Sequence, residues 1–181
     1  MAKSRKIILG VTGSIAAYKA GDIIRRLQDQ GLEVKVVMTK EAEKFITPLT
    51  LESLCGGKVY RNLFDDENAW RMDHIQVAQD VDMILIAPAT ANIIGKLANG
   101  IADDLLTCMV LATKAKVVVA PAMNVEMYRN KIVQENVAKL KRHGVSFIEP
   151  AEGKLACGTI GIGHLAEVDD IVKAAIRELK K

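Results

Sequence analysis

Cysteine is scarce and unpatterned in this chain. Cys55, Cys108 and Cys157 are odd in number and widely spaced, which excludes a disulfide framework and a C-x-x-C metal pattern. Their rarity points to a reducing, cytoplasmic setting. Charge of one sign is equally lacking: the net charge is only +3, spread along the sequence, so neither a nucleic-acid stripe nor a membrane-binding face emerges. No apolar run approaches the ~20 residues of a membrane span. The basic start, Met1-Ala2-Lys3-Ser4-Arg5-Lys6, enters an apolar segment too short for a signal-peptide core. Repeats, low-complexity tracts and linkers are missing too. Aromatic residues make up only 4%. These absences leave a small-molecule partner as the expectation.

What is present is aliphatic: half the residues are hydrophobic, with many Val, Ile, Leu and Ala, a balance suited to a buried parallel sheet covered by helices. At 181 residues the chain reads as one domain, 1–181, able to bury about 70% of its unfolded surface. Apolar, β-branched runs predict strands at Lys6–Val11, Glu33–Met38, Met83–Ala87, Lys116–Ala120 and Val145–Ile148, with a small sixth strand near Val59. Between them, helical spacing predicts an amphipathic helix from Ala16 to Leu27, ended by Gly31. A short helical stretch at Glu41–Phe45 and a helix opened by Thr47-Pro48 follow. Further helices are predicted for His74–Gln79, Ile93–Ala98, Asp103–Ala112, the segment around Val133–Leu140 and the C-terminal segment. Residues 151–164 read as a glycine-rich loop. Strands alternating with helices predict a three-layer, doubly wound Rossmann-like parallel sheet with right-handed crossovers.

In such a sheet, ligands bind outside the carboxyl ends of the strands. Topology sets four strand-end turns on that edge: Gly13-Ser14, Thr39, Pro88–Asn92 and Ala122–Asn124. Gly13-Ser14 opens a helix and can receive a phosphate, although a serine there serves equally as a plain N-cap. The spacing Gly10-x-x-Gly13-x-x-Ala16 is not the dinucleotide fingerprint, and no acidic residue at the end of strand two is placed for a ribose diol. FMN is thereby favoured over NAD. Pro88-Ala89-Thr90-Ala91 is small and smooth, apt for a flat ring or simply for tight helix–sheet packing. Asn124, after Ala120-Pro121-Ala122-Met123, either touches a substrate or caps the next helix. His74 begins a helix whose N-terminus lies at the same edge, where a neutral imidazole can accept a proton. Cys157 sits on the glycine-rich loop, and such loops can fold over a ligand. His143 reads as a favourable charge at a helix C-terminus.

Gly13-Ser14-Ile15-Ala16-Ala17-Tyr18-Lys19, His74-Ile75, Ala87-Pro88-Ala89-Thr90-Ala91-Asn92, Pro121-Ala122-Met123-Asn124-x-x-Met127 and Ala156-Cys157-Gly158-x-x-Gly161-x-Gly163 occur in that order. Together they resemble the homo-oligomeric flavin-containing cysteine decarboxylases, and within them the group acting on phosphopantothenoylcysteine. The resemblance covers essentially the whole chain. It implies FMN at a subunit interface of a homotrimer or dodecamer, held by Gly13, Ser14, Ile15, Thr39, Phe45, Pro88, Ala89, Thr90, Ala91, Ala122 and Met123. It further implies FMN-dependent decarboxylation of 4′-phosphopantothenoylcysteine to 4′-phosphopantetheine in coenzyme A biosynthesis. In that scheme hydride leaves the substrate cysteine's Cβ, His74 assists loss of the thiol proton, and Asn124 holds the departing carboxylate. Cys157 then supplies a proton as the hydride returns, so the cycle is redox-neutral.

Two departures stand out. His164 occupies a position where many members carry arginine, and the chain stops one helix beyond the loop, so a fused cysteine-adding synthetase is not expected. A peptidyl-cysteine oxidative decarboxylase would share His74 and Asn124 but lack the cysteine loop. A flavin prenyltransferase shares the fold without Pro-x-Met-Asn. A non-catalytic FMN-binding regulatory subunit would carry long acidic extensions or altered catalytic residues, and a plain electron carrier would not need His74, Asn124 and Cys157 together.

Overall fold

In the computed structural model the chain is described over residues 4–63, 78–154 and 160–181. Strands β1 (Lys6–Val11), β2 (Glu33–Met38), β3 (Val59–Tyr60), β4 (Met83–Ala89), β5 (Lys116–Pro121) and β6 (Ser146–Phe147) form one parallel sheet in the order β3-β2-β1-β4-β5-β6. The winding reverses between β1 and β4, as in other doubly wound folds. The expected sixth strand near Val59 is an edge strand, pairing Val36 with Val59 and Val37 with Tyr60.

The pleat explains the three layers. Ile7, Leu9 and Val11 of β1 pack with Ile23, Ile24 and Leu27 of α1 (Ala20–Asp29), Leu51 of α2 (Pro48–Cys55) and Ile171 and Val172 of α7 (Val168–Lys180). Ile8 of β1 and Ile84 and Ile86 of β4 face the opposite layer. There they meet Ile93 and Ile94 of α3 (Ala91–Ala98), Leu106 and Met109 of α4 (Leu105–Ala112) and Leu140 of α6 (Lys131–Arg142). With both faces covered, every residue of β4 is buried, which is why it reads as an unbroken apolar run. Each such aliphatic side chain contributes about 1.5–3 kcal/mol by burial.

Several boundaries differ from the sequence expectation, each for a local reason. The first helix is split: Ile15–Lys19 is a 3-10 segment before α1, its first turn tightened by a 3.3 Å hydrogen bond from Ala16 N–H to Ser14 Oγ. The Glu41–Phe45 stretch is a 3-10 turn over Ala42–Lys44. Helix α3 begins at Ala91 because Thr90 caps it, and α4 begins at Leu105 because Asp104 and Thr107 form a capping box. β6 is only two residues long, although Ile148 N–H still reaches the Val119 carbonyl at 2.9 Å. The helix expected at His74–Gln79 lies largely outside the described residues.

The largest correction is at 151–164. β7 (Ala151–Lys154) and β8 (Ile160–His164) form an antiparallel pair, with Glu152 opposite Ile162 and Gly153 opposite Gly161. Glycine is a poor strand former, so composition argues for a loop. Docking overrides it: β8 packs on the short helix α5 (Val125–Arg129), and Met123 N–H donates to the Gly163 carbonyl at 2.9 Å.

Candidate active site

The four strand-end turns are hydrogen-bonded into one rim. Thr12, at the end of β1, donates its hydroxyl to the Pro88 carbonyl at 2.7 Å and accepts from Thr90 N–H at 3.1 Å. Thr39 N–H donates to the Val11 carbonyl at 3.0 Å, and Ala122 N–H to the Ala89 carbonyl at 2.9 Å. The ends of β1, β2, β4 and β5 are thereby held level. Above them opens a cavity of about 620 Å³, within the usual size of small-molecule sites.

Gly13, Ser14, Ile15, Thr39, Thr90, Ala91, Ala122, Met123 and Asn124 all line it, so the structure brings these candidate residues together. Phe45, Pro88 and Ala89 do not line it. Phe45 is 45% exposed. Pro88 and Ala89 are buried within β4, where their carbonyls are taken by Thr12 and Ala122. His74 and Cys157 lie outside the described residues.

Three features bear on what the cavity can hold. Thr39 is 7% exposed, and its Oγ1 is buried without a hydrogen-bond partner among the described residues. A buried hydroxyl left unpaired costs about 1–3 kcal/mol, which a ligand oxygen can offset. Gly13 admits no side chain: a Cβ there would lie 2.4 Å from Glu41 Cβ, so the turn after β1 closes directly on the segment after β2. Thr90 and Ala91 supply a wall without bulky side chains. A buried hydroxyl, a backbone turn and a smooth wall fit the polyol, phosphate and ring of a flavin mononucleotide.

Asn124 satisfies the capping reading and also stands on the cavity wall. It caps α5, its Oδ1 accepting from Glu126 N–H at 2.8 Å, and it also lines the cavity. The amide nitrogen is the donor end of the side chain. It has only donors, which match an acceptor such as a carboxylate.

Sequence reasoning missed other wall residues. Glu41 stands on the wall three residues past the end of β2, so an acidic group is close to that strand end after all. The tightness of the turn brings it back, and composition carries no mark of that. Lys19 lines the wall with its side chain 12% exposed and its Nζ 3.8 Å from Glu167. His164 lines it as well; its Nδ1 lies 3.0 Å from the Leu165 carbonyl, an acceptor, so Nδ1 is the donor in that contact. Tyr18 and Met127, each within a motif quoted above, complete the rim.

The pattern of the Flavoprotein family matches residues 1–180. The chain is 50% identical over 168 residues to a coenzyme A biosynthesis bifunctional protein CoaBC of Vibrio vulnificus, covering 93% of this chain and 42% of that protein. The chain thus spans less than half the length of such bifunctional relatives. It is 43% identical over 178 residues to a probable phosphopantothenoylcysteine decarboxylase of Streptococcus mutans, covering 97% of this chain and 99% of that one. Among solved structures, a mutant PPC decarboxylase complexed with pantothenoylaminoethenethiol superposes with a TM-score of 0.88 at 30% identity, covering 99% and 100% of the two chains. The FMN-dependent cysteine decarboxylase SpaF superposes with a TM-score of 0.84 at 31% identity, covering 99% of each.

Proposed function

We propose, from the premise that this chain belongs to the flavoprotein family, that it binds FMN and decarboxylates 4′-phosphopantothenoylcysteine to 4′-phosphopantetheine. The observation that carries this reading is the convergence of Asn124, Thr39 and the Gly13-Ser14 turn on one cavity. Likeness over nearly the whole length of a probable phosphopantothenoylcysteine decarboxylase supports the substrate.

Thr39 and the Gly13-Ser14 turn would hold the polar side chain of FMN, with Thr90, Ala91, Ala122 and Met123 along its ring. When bound, FMN supplies reversible two-electron chemistry at the substrate's cysteine unit. Asn124 orients the substrate by donating from its amide nitrogen to the carboxylate. His74 takes the proton from the substrate thiol, a positioned base being worth roughly 10²–10⁴ in rate. Cys157 gives the proton from its Sγ that completes the product. Carbon dioxide leaves and a proton takes its place, with no net oxidation.

Ile15, Tyr18 and Met127 border the cavity while 58%, 61% and 48% exposed. Apolar side chains at a mouth fit a boundary between copies of the chain, so the assembly proposed is a homotrimer or dodecamer, testable by sedimentation. The likeness to SpaF favours one second reading, a cysteine decarboxylase that stops at the oxidised enethiol.

The test is direct. The purified protein should be yellow and, given 4′-phosphopantothenoylcysteine, should release CO₂ and 4′-phosphopantetheine in equal amounts. The His74→Asn variant should keep its flavin yet release no CO₂, and Cys157→Ser should accumulate the enethiol. A colourless protein, or enethiol as the native product, would overturn the reading.

A further inference from the structure

A hydrogen-bond circuit closes behind Asn124. Tyr128, on the same helix α5 and 8% exposed, donates its hydroxyl to Glu149 Oε2 at 2.9 Å. Burial first, then the hydrogen bond and charge of Glu149, push that phenol up to about 12, so it remains a donor at neutral pH. Glu149 Oε1 accepts from Lys141 Nζ of α6 at 2.9 Å, and that ammonium lies 5.6 Å from the centre of the Phe147 ring of β6. Gln134 of α6 donates to the Tyr128 carbonyl at 2.5 Å, while Tyr128 N–H donates to the Asn124 carbonyl at 2.9 Å. Glu149 stands two residues before β7, in which Ala151 pairs with His164 of β8. From β8 the path returns through Gly163 to Met123, the neighbour of Asn124.

A helix of five residues has too few internal bonds to set its own direction. The direction of α5 therefore depends on what grips its ends. Asn124 is the cap at one end, on the cavity wall. Tyr128, near the other end, is gripped by Glu149 at the root of the β7–β8 pair. Releasing that grip lets α5 turn, and its cap turns with it.

We propose that Tyr128 and Glu149 are positioning residues for the Asn124 amide. The inference rests on the reading of Asn124 as the group that holds the substrate carboxylate. It is tested by binding rather than turnover, using the 4′-phosphopantothenoyl amide of 2-aminobutyrate. That compound keeps the carboxylate and carries a methyl group in place of the thiol. Its Kd for the flavin-loaded protein is measured by calorimetry for Tyr128→Phe, Asn124→Ser and the double variant. Serine is also a good N-cap, so Asn124→Ser removes the amide donors while leaving α5 capped.

Tyr128→Phe should weaken binding roughly fivefold in the native background, and by less than about twofold once Asn124 is serine, the signature of two residues acting as a unit. Glu149→Ala should behave like Tyr128→Phe. Glu149→Gln, which keeps an acceptor for the phenol, should bind within about twofold of native. An equal loss in both backgrounds, or no loss in the native one, overturns the proposal while leaving the carboxylate assignment intact. Native affinity in Asn124→Ser alone overturns the carboxylate assignment and the positioning role with it.

Discussion

Thr39 carries a penalty that the described chain does not relieve from its own atoms. Its Oγ1 is buried beside the cavity with no partner among the described residues. Thr39→Val keeps the shape and removes the hydroxyl, so the flavin-free protein should be unchanged or more stable by about 1 kcal/mol, a Tm gain of up to roughly 2–4 °C. Flavin retention should move the other way: fluorescence titration should give a Kd about tenfold weaker, and an unchanged Kd would remove Thr39 from the cofactor contacts. Asn124→Asp separates capping from binding. Aspartate caps as well as asparagine, so Tm should hold, but its second oxygen replaces donors with a charge opposing the substrate carboxylate. Activity measured as kcat/KM should fall at least about a hundredfold. Residues such as Asn124 and Thr39 were legible because a polar side chain closing an apolar strand stands out. Glu41 was not, since only the three-dimensional tightness of its turn brings it back to the wall. Phe45, an aromatic expected against the ring, is 45% exposed and does not line the cavity in the single chain.

Elements were legible where periodicity was strong. β1, β2, β4 and β5 declared themselves as apolar runs, and the alternation of layers followed. The β7–β8 pair did not, because glycine carries no side-chain pattern and the elements holding it are distant in sequence. Gly163 shows what that pairing demands. Its φ of +139° disfavours any side chain, and a Cβ would sit 2.4 Å from the Met123 carbonyl oxygen. Gly163→Ala should therefore strain the backbone by about 1–3 kcal/mol and separate β8 from the Asn124 turn. Limited proteolysis should cut the 151–164 region faster than in the native protein, with α1 and β1 remaining protected. Equal cleavage of the two proteins would show that the docking tolerates a side chain.

For the whole molecule, the charged networks set the pH range of stability. The Lys141 hydrogen bond, Glu149's largest influence, holds its carboxyl low, and the Lys181 hydrogen bond does the same for Glu178. A depressed carboxyl contributes stability above its unfolded value, about 4.3, that is lost as pH falls through the lower folded value. Tyr128 works at the other limit. With its phenol raised to about 12, its contribution is complete below the unfolded value near 10 and disappears between about 10 and 12. Tm should thus stay level across neutral pH and fall on both sides, and Tyr128→Phe should flatten part of the alkaline fall; an identical alkaline limb in that variant would refute the assignment. The strand order has a consequence of another kind, for the chain as it is made. β1 leaves the ribosome before β4, yet one of its flanks is completed only when Ile7 meets Met83. At roughly 5–20 residues per second that partner emerges about 4–15 s later. Throughout that interval a mainly aliphatic edge stands open in the nascent polypeptide, which makes it a natural client for a holding chaperone.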